Sequence, residues 1–316
     1  MPENSGQKEP LITIGITCHN AEDTIGRAIG SALNHNWARL EIIVVDDGST
    51  DRSWEIIGEL AERDPRLVRI RHEANRGYAG ALNTIVDAST GEYIAIFDDD
   101  DVSDPNRVSK QWQRLIDYTR AHGTDMVFCY SNRTVVGHDG RQTTPLYAIG
   151  RKPAEPCGQI VADYLLWHYQ DSVHTWGQFG SCTLLASKET FEKVGPLDED
   201  FRRSAEWDLA VRLALMGGHF IAVDEPLITQ YKTKSADKGG TVPLIYSLKL
   251  RKKYKSFLKK KRVYLASIAI AYARFYYAIN KSTLSRFYLL LACLCSPSVV
   301  LRNELDKRMR RNQTGD

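Results

Sequence analysis

The first third of the chain alternates short apolar runs with longer amphipathic stretches. Leu11–Cys18 (LITIGITC) and Tyr93–Phe97 (YIAIF) are short apolar runs with the pattern of buried strands, and Glu41–Val45 (EIIVV) and Leu67–Arg71 read as two further strands. Between them Ala21–Leu33, Asp51–Glu62, Gly77–Ala88 and Pro105–Ala121 read as helices, with Asn20 placed to cap the first. Alternation at this spacing predicts βαβ units, hence an α/β fold with a mostly parallel sheet. Further on, Met126–Tyr130 reads as a strand, Val135–Arg141 as a hairpin turning at Asp139-Gly140, and Arg151–Gly158 as a loop. Leu209, Leu213 and Met216 recur at helical spacing, and Gly217-Gly218 ends that helix.

Right-handed crossovers make successive strands run the same way, and ligands of open α/β sheets bind beyond the strands' carboxyl ends. Thr17–Asn20, Asp46-Asp47, the Asn75-Arg76-Gly77 turn and Asp98–Asp101 all follow strand ends, so they share one rim. Two carboxylates ~4 Å apart repel by ~1 kcal/mol in water and by more in a partly dry cleft. Four in a row at the end of a core strand therefore need a positive partner. Carboxylate oxygens suit hard divalent cations, and Mg²⁺ is held by one or two of them together with substrate phosphates. The rim points to a metal-assisted site for a phosphate ester.

Composition adds a division of labour. The 316 residues, 43% hydrophobic, suffice for one large domain or a domain with an appendage. Six cysteines without a CxxC pair fit reduced thiols in a cytosolic protein. The opening MPENSGQKEP is polar and without an apolar core, so residues 1–10 are expected to be a disordered lead-in rather than a signal peptide. From Lys249 onward 17 Lys and Arg face three acids, a net of +14. The chain total is +3, which leaves −11 for the rest. Nine of those cations fall within Lys249–Arg262. Val263–Ile279 and Phe287–Leu301 follow; both are apolar-rich, but Arg274 and Pro297 interrupt them, short of the ~20 apolar residues of a spanning helix. Residues 234–316 are expected to be a basic helical region, either packed on the body or docked through 249–262 on an anionic membrane surface. An acidic body argues against nucleic acid as partner.

A second chemical cluster is Ser204-Ala205-Glu206-Trp207-Asp208-Leu209. Residues two apart on a helix point about 200° apart, so Glu206 and Asp208 cannot both face one site. Asp208 sits four before Arg212, the spacing of an ion pair, and Glu206 has no such partner.

ITIGITCHN, EIIVVDDGSTD, NRGYAGALN and GEYIAIFDDDD, in this order and spacing, resemble the catalytic domain of glycosyltransferase family 2, which has the GT-A fold. The resemblance implies a GT-A domain over residues 11–233. It places Asp47 on the donor base and Arg76 beside the nucleotide, with Thr17, Asn20 and Asp99 on the same nucleotide rim. Asp98 and Asp100 match the family's DxD metal pair, with Asp99 filling the middle place. The 204–209 segment is similar to the family's Glu-Asp-x-Asp-Leu, which puts Glu206 at the catalytic base; Ala205 departs from that pattern, and Asp208 stays the alternative. Lys232 or Lys234 stands where members hold the diphosphate.

The reaction implied by this resemblance is an inverting, metal-dependent transfer of a sugar from a nucleotide diphosphate, UDP-linked, to a saccharide or lipid-linked hydroxyl, with Mg²⁺ or Mn²⁺ as cofactor. The setting is cytoplasmic, peripheral on the inner face of the plasma membrane. Rival readings are a nucleotidyltransferase, which would want a Gly-rich, Lys/Arg-bearing loop where Thr17-Cys18-His19-Asn20 stands, and a non-catalytic sugar-nucleotide-binding protein.

Overall fold

The computed structural model describes residues 9–137, 140, 145–232 and 240–297. Strands β1 (Ile12–Cys18), β2 (Leu40–Asp46), β3 (Leu67–Arg71) and β4 (Tyr93–Asp98) lie parallel in the order β3-β2-β1-β4. The continuous apolar runs of β1, β2 and β4 follow from helices on both faces, whereas the edge strand β3 (LVRIR) is largely exposed. Ile42 and Val44 pack with helices α1 (Ile25–Leu33), α2 (Ser53–Ala61) and α4 (Arg107–His122). Ile43 and Val45 face the other way, toward α3 (Gly77–Ala88), α5 (Gln159–Trp167) and α7 (Ala205–Leu215). Gly15 lets α3 lie close on β1, since a Cβ there would fall 2.4 Å from Ile85 Cγ2.

Beyond β4 the sheet turns mixed. It continues through β7 (Leu185–Ser187), β6 (Val127–Val136), β8 (His219–Tyr231) and β5 (Val102–Ser103) in that spatial order. β7 runs against both β4 and β6, β5 runs against β8, and β6 and β8 are parallel. A mostly parallel sheet thus describes the N-terminal half, and the whole is mixed α/β.

Three local expectations change. The first helix begins at Ile25, because Asn20 takes φ +51° and spends its Oδ1 on the Thr50 amide at 2.8 Å rather than on a helix end. The expected hairpin opens later than Val135: Val135 and Val136 still belong to β6 and pair with Gln230 and Tyr231 of the long β8, after which the Gly140 amide donates to the Gly137 carbonyl at 3.0 Å and Leu146 bridges Arg133 antiparallel; Asp139 lies outside the described residues. Of the expected lead-in, residues 1–8 also lie outside them, whereas the Glu9 and Pro10 carbonyls accept from Arg39 and Trp37. The expected boundary at 233/234 falls outside as well.

The C-terminal appendage comprises α8 (Val242–Lys253), α9 (Lys255–Lys260), α10 (Tyr264–Ala278) and α11 (Ser282–Cys295). Leu250, Leu258, Val263, Ala266 and Ile270 join the core on the α5/α7 side. Four of the nine cations of 249–262 also turn inward. Lys249 donates to the Asp200 carbonyl, buried Arg251 to the Ser267 carbonyl, Lys253 pairs with Asp198 and Asp208, and Lys261 pairs with Asp163. No described helix is long and apolar enough to cross a membrane.

Candidate functional site

The carboxyl ends of β1, β2 and β4 open on a cleft of about 920 Å³. Thr17, Asn20, Asp47, Asp98, Asp99, Asp100 and Glu206, all expected site residues, line it together.

Asp47 is buried and its carboxylate is engaged locally. It accepts the Arg76 and Gly77 amides at 2.9 and 2.7 Å and pairs with His72 Nδ1 at 2.7 Å. A negative charge here suits the positive end of α3. Gly48, at φ +72°, permits this approach: a Cβ would lie 2.9 Å from the Asn75 amide nitrogen. Asn75 and Gly77 line the cleft, while the Arg76 guanidinium turns onto Glu199 at 2.6 Å, a bond that raises its pKa.

The acidic strand end is more differentiated than its sequence suggests. Asp99 accepts the His19 amide at 3.0 Å, and the Asp100 carbonyl accepts from Arg27 at 2.8 Å. Asp101, which sequence reasoning left without a role, is buried and accepts from the Tyr231 amide at 3.3 Å. Asp98, Asp101 and Cys182 bring one ligand atom each within 4.8 Å of one another. Burial first, then the neighbouring carboxylates, raise Asp99 to about 7 and Asp101 to about 8. Asp101 Oδ2 is buried and has no N–H donor, only the Cys182 thiol beside it. Two hard oxygens, one of them orphaned, and charge crowded enough to favour protons make a donor set that fits a divalent cation.

Behind this cluster lies fully buried Arg107 of α4, also missed from sequence. It donates to Gln111 at 2.7 Å and to the Ile96 carbonyl at 2.9 Å, and stacks 4.3 Å over Phe97. Gln111 in turn donates to the Cys129 and Thr183 carbonyls at 2.8 Å each, tying β4, β6 and the Ser181–Thr183 turn together. The signal was present as Arg and Gln four apart on one helix face, just after Asp104-Pro105.

Ser204 takes φ +65° and caps α7, whose first-turn Glu206 lines the same cleft. Burial raises the Glu206 carboxyl above its ordinary 4.5. Asp208 is placed elsewhere. Fully buried, it holds Arg212 at 3.1 Å, Lys253 at 2.9 Å and the Tyr254 hydroxyl at 2.8 Å. Lys232 is exposed, with its amide bonded to Val136, and Lys234 lies outside the described residues. Among the described residues, the Lys and Arg that line the cleft are Arg202 and Arg203, an adjacent pair just before Ser204 that sequence reasoning passed over. Tyr78 lines it too, with burial and the Asp98 charge raising its phenol.

The model of the family "Glycosyl transferase family 2" matches residues 13–158, which hold β1 to β4 and every acidic residue of the strand-end rim. Over residues 13–158 the chain is thus similar to family 2 glycosyltransferases. Among curated relatives, the Escherichia coli UDP-Glc:alpha-D-GlcNAc-diphosphoundecaprenol beta-1,3-glucosyltransferase WfaP is 38% identical over 101 residues, 32% of this chain and 39% of that protein. The chain spans 54% and 33% of the length of two other curated relatives. Staphylococcus aureus TarS 1–349, solved with UDP-GlcNAc, superimposes with a TM-score of 0.61 at 16% identity, over 89% of this chain and 79% of that one. The Pyrobaculum calidifontis mannosyltransferase PcManGT, solved with GDP-Man and Mn²⁺, gives 0.56 at 17% identity, over 91% and 87%. At these identities the structures speak for the fold, which is GT-A.

Proposed function

We propose that this protein transfers a sugar from a UDP-linked donor to a saccharide or lipid-linked hydroxyl, with inversion at the anomeric carbon. The observation that carries this reading is the convergence of the Asp98–Asp101 strand end, the Arg202-Arg203 pair and Glu206 on one cleft. WfaP, whose name specifies UDP-Glc and a diphosphoundecaprenol-linked acceptor, and TarS, solved with UDP-GlcNAc, support the donor and acceptor classes. PcManGT, solved with Mn²⁺, supports a divalent cation.

In this reading Asp98, with Asp100 or Asp101, would hold Mg²⁺ or Mn²⁺, which supplies positive charge to the diphosphate as it leaves. Arg202 and Arg203 bind the same phosphates from the facing wall, and Asn20, Asp47 and Thr17 shape the nucleotide end. Glu206 accepts the proton of the acceptor hydroxyl. The acceptor oxygen then bonds to the anomeric carbon as the bond to the diphosphate oxygen breaks on the opposite face. One base and one displacement give inversion. A lipid-linked acceptor would place the enzyme peripherally on the cytoplasmic membrane face.

Donor hydrolysis and transfer, measured with Mn²⁺ and again after chelation, test the reading. Metal-dependent release of UDP supports it. A donor-induced thermal shift without any turnover would favour a binding protein instead; saturation at ~100 times Kd stabilises by ~2.7 kcal/mol, enough to see binding by itself.

A further inference from the structure

Between Gly240 and Pro297 the chain has twelve Lys and Arg and no Asp or Glu. Lys249, Lys253 and Lys261 are spent on the body and buried Arg251 inside the appendage, while the other eight are exposed and make no ion pair among the described residues. The same segment presents an uncovered apolar row. Leu284, Phe287, Leu290 and Leu294 are 39, 52, 59 and 69% exposed. Their spacing of three, three and four keeps them on one side of α11, opposite buried Ser285 and Ala292. Arg286 flanks this row, and Lys281 precedes it. Contiguous exposed apolar surface marks an interaction site.

We infer that the outer face of α11, with the cations around it, docks the enzyme on an anionic lipid bilayer, the Leu284–Leu294 row entering the headgroup boundary. This deepens the peripheral attachment proposed above and rests on it, while moving its anchor from 249–262 to α11. The chemistry selects a bilayer over other occupants. A second copy of this chain would bring two acid-free basic surfaces together. A surface of uniform negative charge above acyl chains satisfies the cations and the row at once, as for interfacial amphipathic helices. With no described helix able to span, the helix lies in the interface plane.

Vesicle co-sedimentation of the full chain tests this, using pure phosphatidylcholine and a phosphatidylcholine–phosphatidylglycerol mixture. Wild type sediments with the anionic vesicles and at least about tenfold less at ~1 M salt, where screening falls to ~3 Å. Phe287→Ser/Leu290→Ser loses binding at least about tenfold at low salt with its unfolding temperature unchanged, and Phe287→Trp shifts its emission to the blue on anionic vesicles. If the double variant binds like wild type while Lys255→Gln/Lys259→Gln/Lys260→Gln does not, attachment stands and the α11 face is overturned. Equal binding to neutral vesicles, or none to either, overturns both the face and the peripheral attachment, and leaves the sugar-transfer assay to stand or fall on its own.

Discussion

Lys253 lies 2.9 Å from Asp208, so the first helix of the C-terminal appendage is ion-paired to the helix that carries Glu206. The pair gives the two acids of this segment different work. Removing one partner of a buried ion pair costs ~3–5 kcal/mol, because the other charges stay desolvated. Asp208→Ala is therefore expected to lower the unfolding free energy by that order, read as a fall in the denaturant midpoint at unchanged m. Glu206→Gln should leave stability and donor affinity near wild type and reduce turnover ~10²–10⁴-fold. A stable, inactive Asp208→Asn beside an active Glu206→Gln would exchange the roles.

The pH profile gives an independent reading of Glu206. Burial raises its carboxyl above 4.5, and a base works only when deprotonated. Turnover should rise with pH through a limb centred above 4.5 and then level off. Glu206→Gln should lose that limb along with most of its rate. A wild-type profile flat down to pH 4.5 would remove Glu206 from the proton transfer.

Much of this was legible in the chain. The β1 to β4 alternation and the rim it builds follow from hydrophobic period and strand polarity alone, because each acidic cluster sits directly after an apolar run. What escaped depends on contacts distant in sequence. Arg202 and Arg203 line the cleft just before Ser204, which adopts a left-handed turn, and serine does not announce one. Asp101 differs from Asp98–Asp100 by its burial beneath β8, which no tetrad of identical residues can reveal. The inward use of Lys249, Arg251, Lys253 and Lys261 is likewise invisible in a basic run, where charge alone suggests solvent.

His35 makes the strand end acid-sensitive. It packs edge-on to Phe97 and bonds to Ser103, and burial, then the Arg107 charge, lower it from 6.5 to about 4. The unfolded chain thus binds the extra proton between these values, so stability is full above pH 6.5 and is lost as pH falls toward 4. The loss is on the order of 3 kcal/mol at 1.36 kcal/mol per unit. His35→Gln should flatten this part of the stability curve relative to wild type. An unchanged difference in urea midpoint between neutral and acid pH in that variant would refute the assignment.

Arg202 and Arg203 are expected to act on the donor. A charge-assisted hydrogen bond contributes ~1.5–3 kcal/mol. Replacing either by Met should therefore raise the donor Kd about ten- to a hundredfold while leaving the binding of the free nucleoside unchanged. Equal losses for UDP and uridine in titration calorimetry would place these residues away from the phosphates.

The partner of Asp98 in cation binding is decided by comparing Asp100→Asn with Asp101→Asn. Asp98 and Asp101 share a cluster with Cys182, whereas family resemblance points to Asp100. Asp101 is buried and raised to about 8, so without metal its charge works against folding; Asp101→Asn should stabilise the metal-free protein at pH above that value. With Mn²⁺ added, the outcomes separate. If Asp101 is a ligand, its Asn variant gains little from the ion, and wild type overtakes it in unfolding temperature. If Asp100 is the ligand, Asp101→Asn keeps its full Mn²⁺ shift and Asp100→Asn loses it. Loss in Asp98→Asn is expected in both cases, and an Asp98→Asn protein that still gains the wild-type shift would take the cation away from this strand end altogether.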